Sequence, residues 1–285
     1  MTDKIILISD FFIDDFVGGA ALNDEEIYNT LKKHYDVQKI KSRYLYPGFI
    51  QENLDSLFII SNFFGIDPQI RDSIENQCNY ILYCHDYKFV HHTNPAVYPN
   101  FIVPRDHLIN VSFHLNAKRI VCQTDFQKKI YDKNLNAPDK TYNFSGNLWS
   151  DDHLNLLEKL RNNSSSIDKC AVVNSPYPQK GTEQSKEYCR QNNIPFDVIQ
   201  DPNYESFLKF LSMYSSLAFH PSTPETCCRL VLEAKMLGLK VFTNELIGAS
   251  YEPWYEKDGL ALTNIMRDKK ENLVNIIKKI KTELK

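Results

Sequence analysis

The stretch SLAFHPSTPETCCRLVLEAKMLGLKVFTN, residues 216–244, decides the fold predicted for this chain. Its two ends, SLAFH (216–220) and KVFTN (240–244), are short apolar runs with the length and composition of buried strands. The middle segment, RLVLEAKML, has an apolar face at helical spacing, with Pro224 suited to the helix start and Gly238 to its end. The stretch therefore predicts a strand–helix–strand unit.

The same alternation of short apolar runs and helical stretches continues along the rest of the chain. Asn23 and Glu26 have the spacing of a capping box, which predicts that the first helix starts there. Because buried strands that alternate with helices form parallel sheets, we predict an α/β protein. Further strands are predicted at residues 4–9, 56–61, 80–84, 119–123, 169–174 and 196–200, and further helices at 182–193 and 204–214.

The length of the chain, 285 residues, is ample for two domains that each bury a core. The polar run RNNSSSID, residues 161–168, separates two halves of similar pattern and is predicted to be part of a linker region. We assign 1–148 to an N-terminal and 149–285 to a C-terminal domain, both doubly wound and Rossmann-like. The basic segment 267–285 is predicted to form an amphipathic helix that packs on the protein. Its return to the N-terminal domain and a peripheral membrane contact are left open.

Composition and charge exclude several classes of protein. The net charge of −3 gives no electrostatic footprint for nucleic acid, so no nucleic-acid partner is expected. The apolar run near the N-terminus is short and broken by acids, and no later segment reaches membrane-spanning length. The seven cysteines contain no CxxC pair, which favours reduced thiols. We therefore expect a protein of the cytoplasm without a membrane span.

The spacing of Glu225 and Glu233 bears on the kind of site they form. If one helix carries both, eight steps of ~1.5 Å place their Cα atoms about 12 Å apart. Paired glycosidase carboxylates lie within about 5 to 9.5 Å, so a pair acting on one bond is disfavoured. Two contacts along an extended ligand, with an anion at the helix start between them, fit better. The spacing alone also fits two structural glutamates without a ligand.

The segment PETCCRLVLEAKMLGLKVFTNELIGA, residues 224–249, resembles the signature of retaining GT-B glycosyltransferases of the family 4 type. That pattern has a glutamate, seven residues, a second glutamate followed by Ala, a loop Gly, an apolar strand and a later Gly-Ala. Three further motifs agree in order, over about residues 5 to 250. The matching positions are Gly18-Gly19-Ala20, His85-Asp86, Lys180-Gly181, Glu225, Glu233-Ala234, Gly238 and Gly248-Ala249. The resemblance implies a GT-B fold, in which two Rossmann-like domains face a cleft.

The resemblance also implies an activity: transfer of a sugar from a nucleotide-sugar donor to an acceptor hydroxyl, with retention of the anomeric configuration. Neither a metal ion nor another cofactor is expected, because cationic and backbone groups would hold the diphosphate. The acceptor would be a glycan or another hydroxyl compound. The residues implied are His85 and Glu225 as catalytic residues, Gly18, Gly19, Lys180, Cys228 and Arg229 at the donor, and Glu233 at its ribose.

Departures from the family pattern keep other functions open. The stretch NSPYPQKG has no Arg before Lys180, Cys228 stands where the family commonly has glycine, and the C-terminal domain is short, or trimmed. Arg229 is either a substitute for the missing charge or a solvent-facing side chain. One alternative is a non-catalytic module that binds a nucleotide or a glycan. The other is a nucleotide-sugar epimerase or hydrolase, which would need a general acid and base.

Overall fold

The computed structural model describes residues 3–15, 17–162 and 167–284, and its contacts divide the chain into two compact units. The first unit contains the residues up to Leu148 and those from Asp268 onward, and the second runs from Trp149 to Arg267. The polar run at 161–168 lies inside the second unit, so it does not separate the two, and its residues 163–166 are outside the described residues.

A parallel sheet of six strands forms the centre of the first unit, in the order β2-β1-β3-β4-β5-β6. Helices cover both faces, which is why the β1 segment Ile5–Ile8 is fully buried. The strands are β1 (Lys4–Ser9), β2 (Asp36–Lys41), β3 (Leu57–Ile60), β4 (Asn79–Cys84), β5 (Arg119–Cys122) and β6 (Thr141–Asn143). The helices among them are α1 (Gly19–Leu31), α2 (Pro47–Glu52), α3 (Pro68–Gln77), α4 (Val111–Asn116) and α5 (Asp125–Leu135).

The second unit contains a parallel sheet of four strands in the order β10-β9-β7-β8. Its strands are β7 (Ile167–Val173), β8 (Phe196–Ile199), β9 (Tyr214–Phe219) and β10 (Lys240–Thr243). Its helices are α6 (Asp151–Arg161), α7 (Thr182–Gln191), α8 (Tyr204–Leu211), α9 (Arg229–Met236) and α10 (Gly259–Arg267). The predicted α/β class with two parallel sheets is confirmed, and so is the strand–helix–strand unit, here β9-α9-β10.

The last helix, α11 (Lys269–Glu283), packs on the first unit. Its buried side chains Leu273, Val274 and Ile277 share one apolar cluster with Leu7 of β1 and Ile27 of α1. Among the residues that the structure describes, no helix combines the length and the apolar character needed to cross a bilayer.

The start of α1 differs from the prediction. Gly18, not Asn23, is the N-cap residue, and Asn23 lies fully buried within the helix. The Asn23 side-chain oxygen accepts a hydrogen bond of 2.9 Å from the Leu148 N–H, and Glu26 lies 3.6 Å from Lys270 of α11. Asn23 and Glu26 do not form the predicted capping box, because both side chains make long-range contacts instead.

Candidate functional site

The segment between β9 and α9 does not follow the predicted helix. Helix α9 begins at Arg229, and Glu225 lies before it in extended chain. The Glu225 N–H donates to the Leu246 carbonyl and the Gly248 N–H donates to the Glu225 carbonyl, both at 2.8 Å. This backbone pairing with the chain after β10 competes with helix formation. The expectation that one helix carries both glutamates is therefore wrong, and the separation of about 12 Å, which was derived from that helix, loses its basis.

Lys180 and Glu225 form an ion pair in the second unit. Lys180 ends a single 3-10 turn, Pro178–Lys180, which follows β7, and its Nζ donates to Glu225 Oε1 at 2.7 Å. Burial opposes the charged amine, but the Glu225 carboxylate outweighs it and raises the pKa of Lys180 above its usual value. The structure thus brings together one cation and one carboxylate that the sequence places 45 residues apart.

Gly181 has a steric role that explains half of the Lys-Gly motif. Its φ is +71°, in the left-handed region, and it is the N-cap residue of α7. A Cβ atom there would lie 1.8 Å from the His220 carbonyl oxygen, so no other residue fits without movement of the backbone. The exit of β9 therefore passes directly against the turn that carries Lys180.

Cys228 is the N-cap residue of α9 and has a φ of +69°. This is the position where the family pattern commonly has glycine, and the backbone still adopts a conformation that favours glycine. Its side chain is buried, and that burial raises the pKa of the thiol well above its usual value, which keeps it protonated. The Cys228 side chain makes no capping hydrogen bond to α9, so the N–H groups of the first turn are suited to an anion there.

Glu233 and Arg229 lie on α9 and are both buried, with 2 % and 8 % of their surface exposed. Glu233 Oε1 accepts hydrogen bonds from Trp149 Nε1, at 2.9 Å, and from the Tyr204 hydroxyl. Arg229 Nε lies 3.4 Å from the same oxygen, and the guanidinium lies 4.3 Å from the Trp149 ring. Arg229 therefore does not face solvent. Trp149 and Tyr204 were not predicted as site residues, because no spacing in the sequence links them to Glu233.

His85 follows β4 in the first unit, and both of its ring nitrogens have protein partners. Its Nε2 lies 2.7 Å from Asp24 Oδ1, and its Nδ1 lies 2.8 Å from Gln123 Nε2. Gln123 Nε2 also faces the Cys84 carbonyl at 3.3 Å, which fixes this atom as a donor. His85 Nδ1 is then the acceptor, and Nε2 carries the proton donated to Asp24. A ligand can use the ring of His85 only by replacing one of these two bonds.

Asp24 of α1 is a further polar residue that the sequence did not identify. It is fully buried, and its Oδ2 accepts hydrogen bonds from the Ser9 hydroxyl at 2.9 Å and the Ser61 hydroxyl at 2.7 Å. Ser9, Ser61 and His85 come at or just after the ends of β1, β3 and β4, so Asp24 marks the carboxyl edge of the sheet. This is the edge at which open α/β sheets bind ligands.

Gly18 and Gly19 form the start of α1 at that same edge. Gly18 has φ −146° and ψ 167°, which any residue adopts, and Gly19 is the first residue of the helix. Gly18, the N-cap residue, has no side chain that could cap α1, so the first N–H groups of the helix receive no cap from it. The positive end of the helix dipole makes this start suitable for an anion.

The sequence-predicted site residues thus lie in two groups, each at the carboxyl edge of its sheet. Lys180, Glu225, Cys228, Arg229 and Glu233 belong to the second unit, and Gly18, Gly19 and His85 to the first. Over the described ranges of the chain, no three His, Cys, Asp or Glu side chains are grouped as a metal site would require.

Comparison with known proteins identifies the fold. No family model matches the sequence, and no curated protein is significantly similar to it. Among solved structures, HepE from Anabaena in complex with UDP-glucose has a TM-score of 0.55 at 12% identity and covers 99% of each chain. An alpha,alpha-trehalose-phosphate synthase (UDP-forming) from Burkholderia vietnamiensis has a TM-score of 0.57 at 9% identity, covering 99% of this chain and 100% of its own.

An alpha-glucosyltransferase in complex with UDP-glucose and DNA containing an abasic site has a TM-score of 0.53 at 10% identity. It covers 96% of this chain and 90% of its own. The similarity to these structures extends over nearly the whole of this chain. The chain therefore has the GT-B fold of glycosyltransferases, as the sequence motifs implied.

Proposed function

We propose that this protein is a glycosyltransferase that moves a sugar from a uridine-diphosphate sugar to an acceptor hydroxyl, with retention of the anomeric configuration. The observation that carries the proposal is the placement of Lys180, Glu225 and Glu233 at one edge of the second sheet of a GT-B fold. The bound UDP or UDP-glucose of structures with this fold supports the choice of donor.

The leaving diphosphate needs positive charge, because negative charge builds on it as the bond to the sugar breaks. Lys180 supplies an ammonium that the raised pKa keeps charged, and the uncapped start of α9 supplies backbone N–H groups. Arg229 is directed towards Glu233 and Trp149, so we assign it to the support of the site rather than to the phosphate. We propose that these groups suffice for transfer without a metal ion or other cofactor.

The two glutamates have different environments that suit different hydroxyl groups. Glu225 is less buried than Glu233, and its backbone is fixed on both sides by the chain after β10, which suits a contact with the hydroxyls of the transferred sugar. Glu233 is deeply buried and rigidly bonded, which suits a contact with the ribose. We propose that His85 contacts the sugar or the acceptor. In that contact, the ligand would replace the hydrogen bond between His85 Nδ1 and Gln123.

We propose a glycan or another hydroxyl compound as the acceptor. The net charge of −3 is our reason for expecting no nucleic-acid acceptor, although DNA is bound to one glucosyltransferase of this fold. HepE in complex with UDP-glucose and this chain each cover 99% of the other, so a chain of this length is compatible with binding of a nucleotide-sugar.

One observation favours a second candidate, a non-catalytic module that binds a nucleotide. Lys180 is already paired with Glu225, and the family's additional Arg before it is absent, so less positive charge faces a diphosphate. In this alternative the donor binds, but its sugar is not transferred.

The deciding experiment is a transfer assay with uridine-diphosphate sugars and a panel of hydroxyl acceptors. We expect UDP and a glycosylated product of unchanged anomeric configuration, observed by NMR. Glu225→Gln should lose most of the product, and Asp197→Asn, which removes a carboxylate paired with Lys169 elsewhere in the unit, should not. Binding of the donor without product would support the non-catalytic module. Free sugar without acceptor would indicate a hydrolase.

A further inference from the structure

The carboxylate of Glu233 is held by residues from three separate elements. Trp149 precedes α6, Tyr204 is the first residue of α8, and Arg229 lies one turn before Glu233 on α9. All three contacts fall on one oxygen, Oε1. Among the residues that the structure describes, none donates a hydrogen bond to the other oxygen, Oε2. The carboxylate thus has one oxygen that the protein bonds and one that receives no hydrogen bond from the described residues.

We infer that Tyr204 is a positioning residue that, together with Trp149, fixes Glu233 so that Oε2 is presented to the ribose hydroxyls of the nucleotide. The inference rests on the proposed function, because it names the determinant of ribose recognition in that same site. It assigns a role to two residues that the sequence motifs do not contain.

Holding the carboxylate has a physical consequence for affinity. An unrestrained glutamate loses side-chain conformational entropy when it binds a ligand. A side chain that the protein already fixes loses that entropy during folding, so ligand binding does not require the loss again. Tyr204 is suited to the task because burial raises the pKa of its hydroxyl, which keeps it a donor. The Trp149 indole N–H cannot accept, so it also leaves the carboxylate as the acceptor of both bonds.

Holding the carboxylate also has a consequence for specificity. A fixed acceptor without a second protein donor is left unpaired when a ligand lacks the expected hydroxyl. Hydrogen bonds to charged groups contribute enough that such a ligand should bind about tenfold to a hundredfold more weakly. A mobile carboxylate can instead turn to water, and most of this discrimination should disappear.

The test measures the dissociation constants of UDP and of its 2′-deoxy and 3′-deoxy analogues by calorimetry. Wild type should prefer UDP over at least one analogue by tenfold or more. Tyr204→Phe should reduce that ratio at least threefold while the protein stays folded. Tyr214→Phe is the matched control: it removes the hydroxyl of another tyrosine of the same unit, which lies 3.4 Å from the carboxylate of Asp197, and should keep the wild-type ratio.

Trp149→Phe removes the second donor and should reduce the ratio in the same way, which provides an independent readout if Tyr204→Phe does not fold. An unchanged ratio in a folded variant of either residue would overturn the positioning role. A wild type that binds UDP without discriminating the analogues would overturn the inference and leave the proposed donor site standing. A folded wild type that binds no nucleotide would overturn both.

Discussion

Replacement of Gly181 by alanine should destabilise the second unit strongly, for a reason that can be separated into two parts. The first part is the positive φ of +71°, which costs alanine about 1–2 kcal/mol. Alanine also lowers the conformational entropy of the unfolded chain, which offsets about 0.4–1 kcal/mol of this cost. The second part is the Cβ atom, which would lie 1.8 Å from the His220 carbonyl oxygen, where ordinary contacts are 3.4–4 Å.

The exit of β9 must therefore move away from the turn in Gly181→Ala. Two hydrogen bonds hold it there, His220 N–H to Ser185 Oγ at 2.9 Å and Ser222 N–H to the Gln179 carbonyl at 3.0 Å. Loss of both costs about 1 kcal/mol each, which brings the expected total to about 3 kcal/mol.

Gly238→Ala is the matched control for this prediction. Its φ is +84°, but the nearest atom to its Cβ, Arg161 Cγ, is 3.9 Å away, so only the dihedral cost applies. We expect a loss of about 1 kcal/mol at Gly238. The free energies of unfolding are measured by urea titration followed by circular dichroism. Equal losses in the two variants would refute the argument that the close contact at Gly181 requires glycine.

Three further predictions concern single buried residues, all measured by urea unfolding. Cys228→Gly relieves a positive φ of +69°, so its free energy of unfolding should stay within about 1 kcal/mol of wild type. Cys227→Gly lacks that relief and should lose about 2 kcal/mol. Equal losses in the two variants would contradict this prediction. Burial lowers the pKa of His114 to about 4 in the folded protein. As the pH falls below about 6.5, His114 takes up a proton in the unfolded chain but not in the folded protein. The free energy of unfolding should therefore drop by roughly 3 kcal/mol by pH 4. In His114→Gln the free energy of unfolding should fall less steeply between pH 6.5 and pH 4. An unchanged pH dependence would contradict the assignment of this loss to His114. Asp24→Asn should cost about 1–3 kcal/mol, because an amide cannot accept from Ser9, Ser61 and His85 together; a neutral substitution would show that these bonds do not stabilise the fold.

In the first sheet, the buried strands could be predicted from the sequence and the two edge strands could not, whereas all four strands of the second sheet were predicted, including its edge strands β8 and β10. Apolar runs identified β1, β3, β4 and β5 of the first sheet, because both faces of a covered parallel sheet are apolar. The segments DVQKIK of β2 and TYN of β6 lie at the edges of their sheet, are largely polar and carry no such run. Their place in the sheet depends on pairing with β1 and β5, which local composition does not encode.

The candidate site shows the same limit at the level of side chains. The positions of Lys180, Glu225 and Glu233 followed from motifs, but their contacts depend on residues distant in sequence. Trp149 lies 84 residues from Glu233, and the extended backbone at Glu225 depends on its pairing with Leu246 and Gly248. Local patterns predicted a helix start at Glu225 because they contain no information about that pairing.

We propose that the second unit holds a nucleotide-sugar donor through Lys180, and thermal unfolding with and without UDP-glucose measures that binding. Ligand at about 100 times its dissociation constant should stabilise wild type by about 2.7 kcal/mol. The stabilisation should fall clearly in Lys180→Gln at the same concentration. Lys169→Gln removes a lysine of similar exposure, 46% against 41%, that is also paired with a carboxylate, and should retain it. Stabilisation that is equal in all three proteins, or absent from wild type, would contradict the claim.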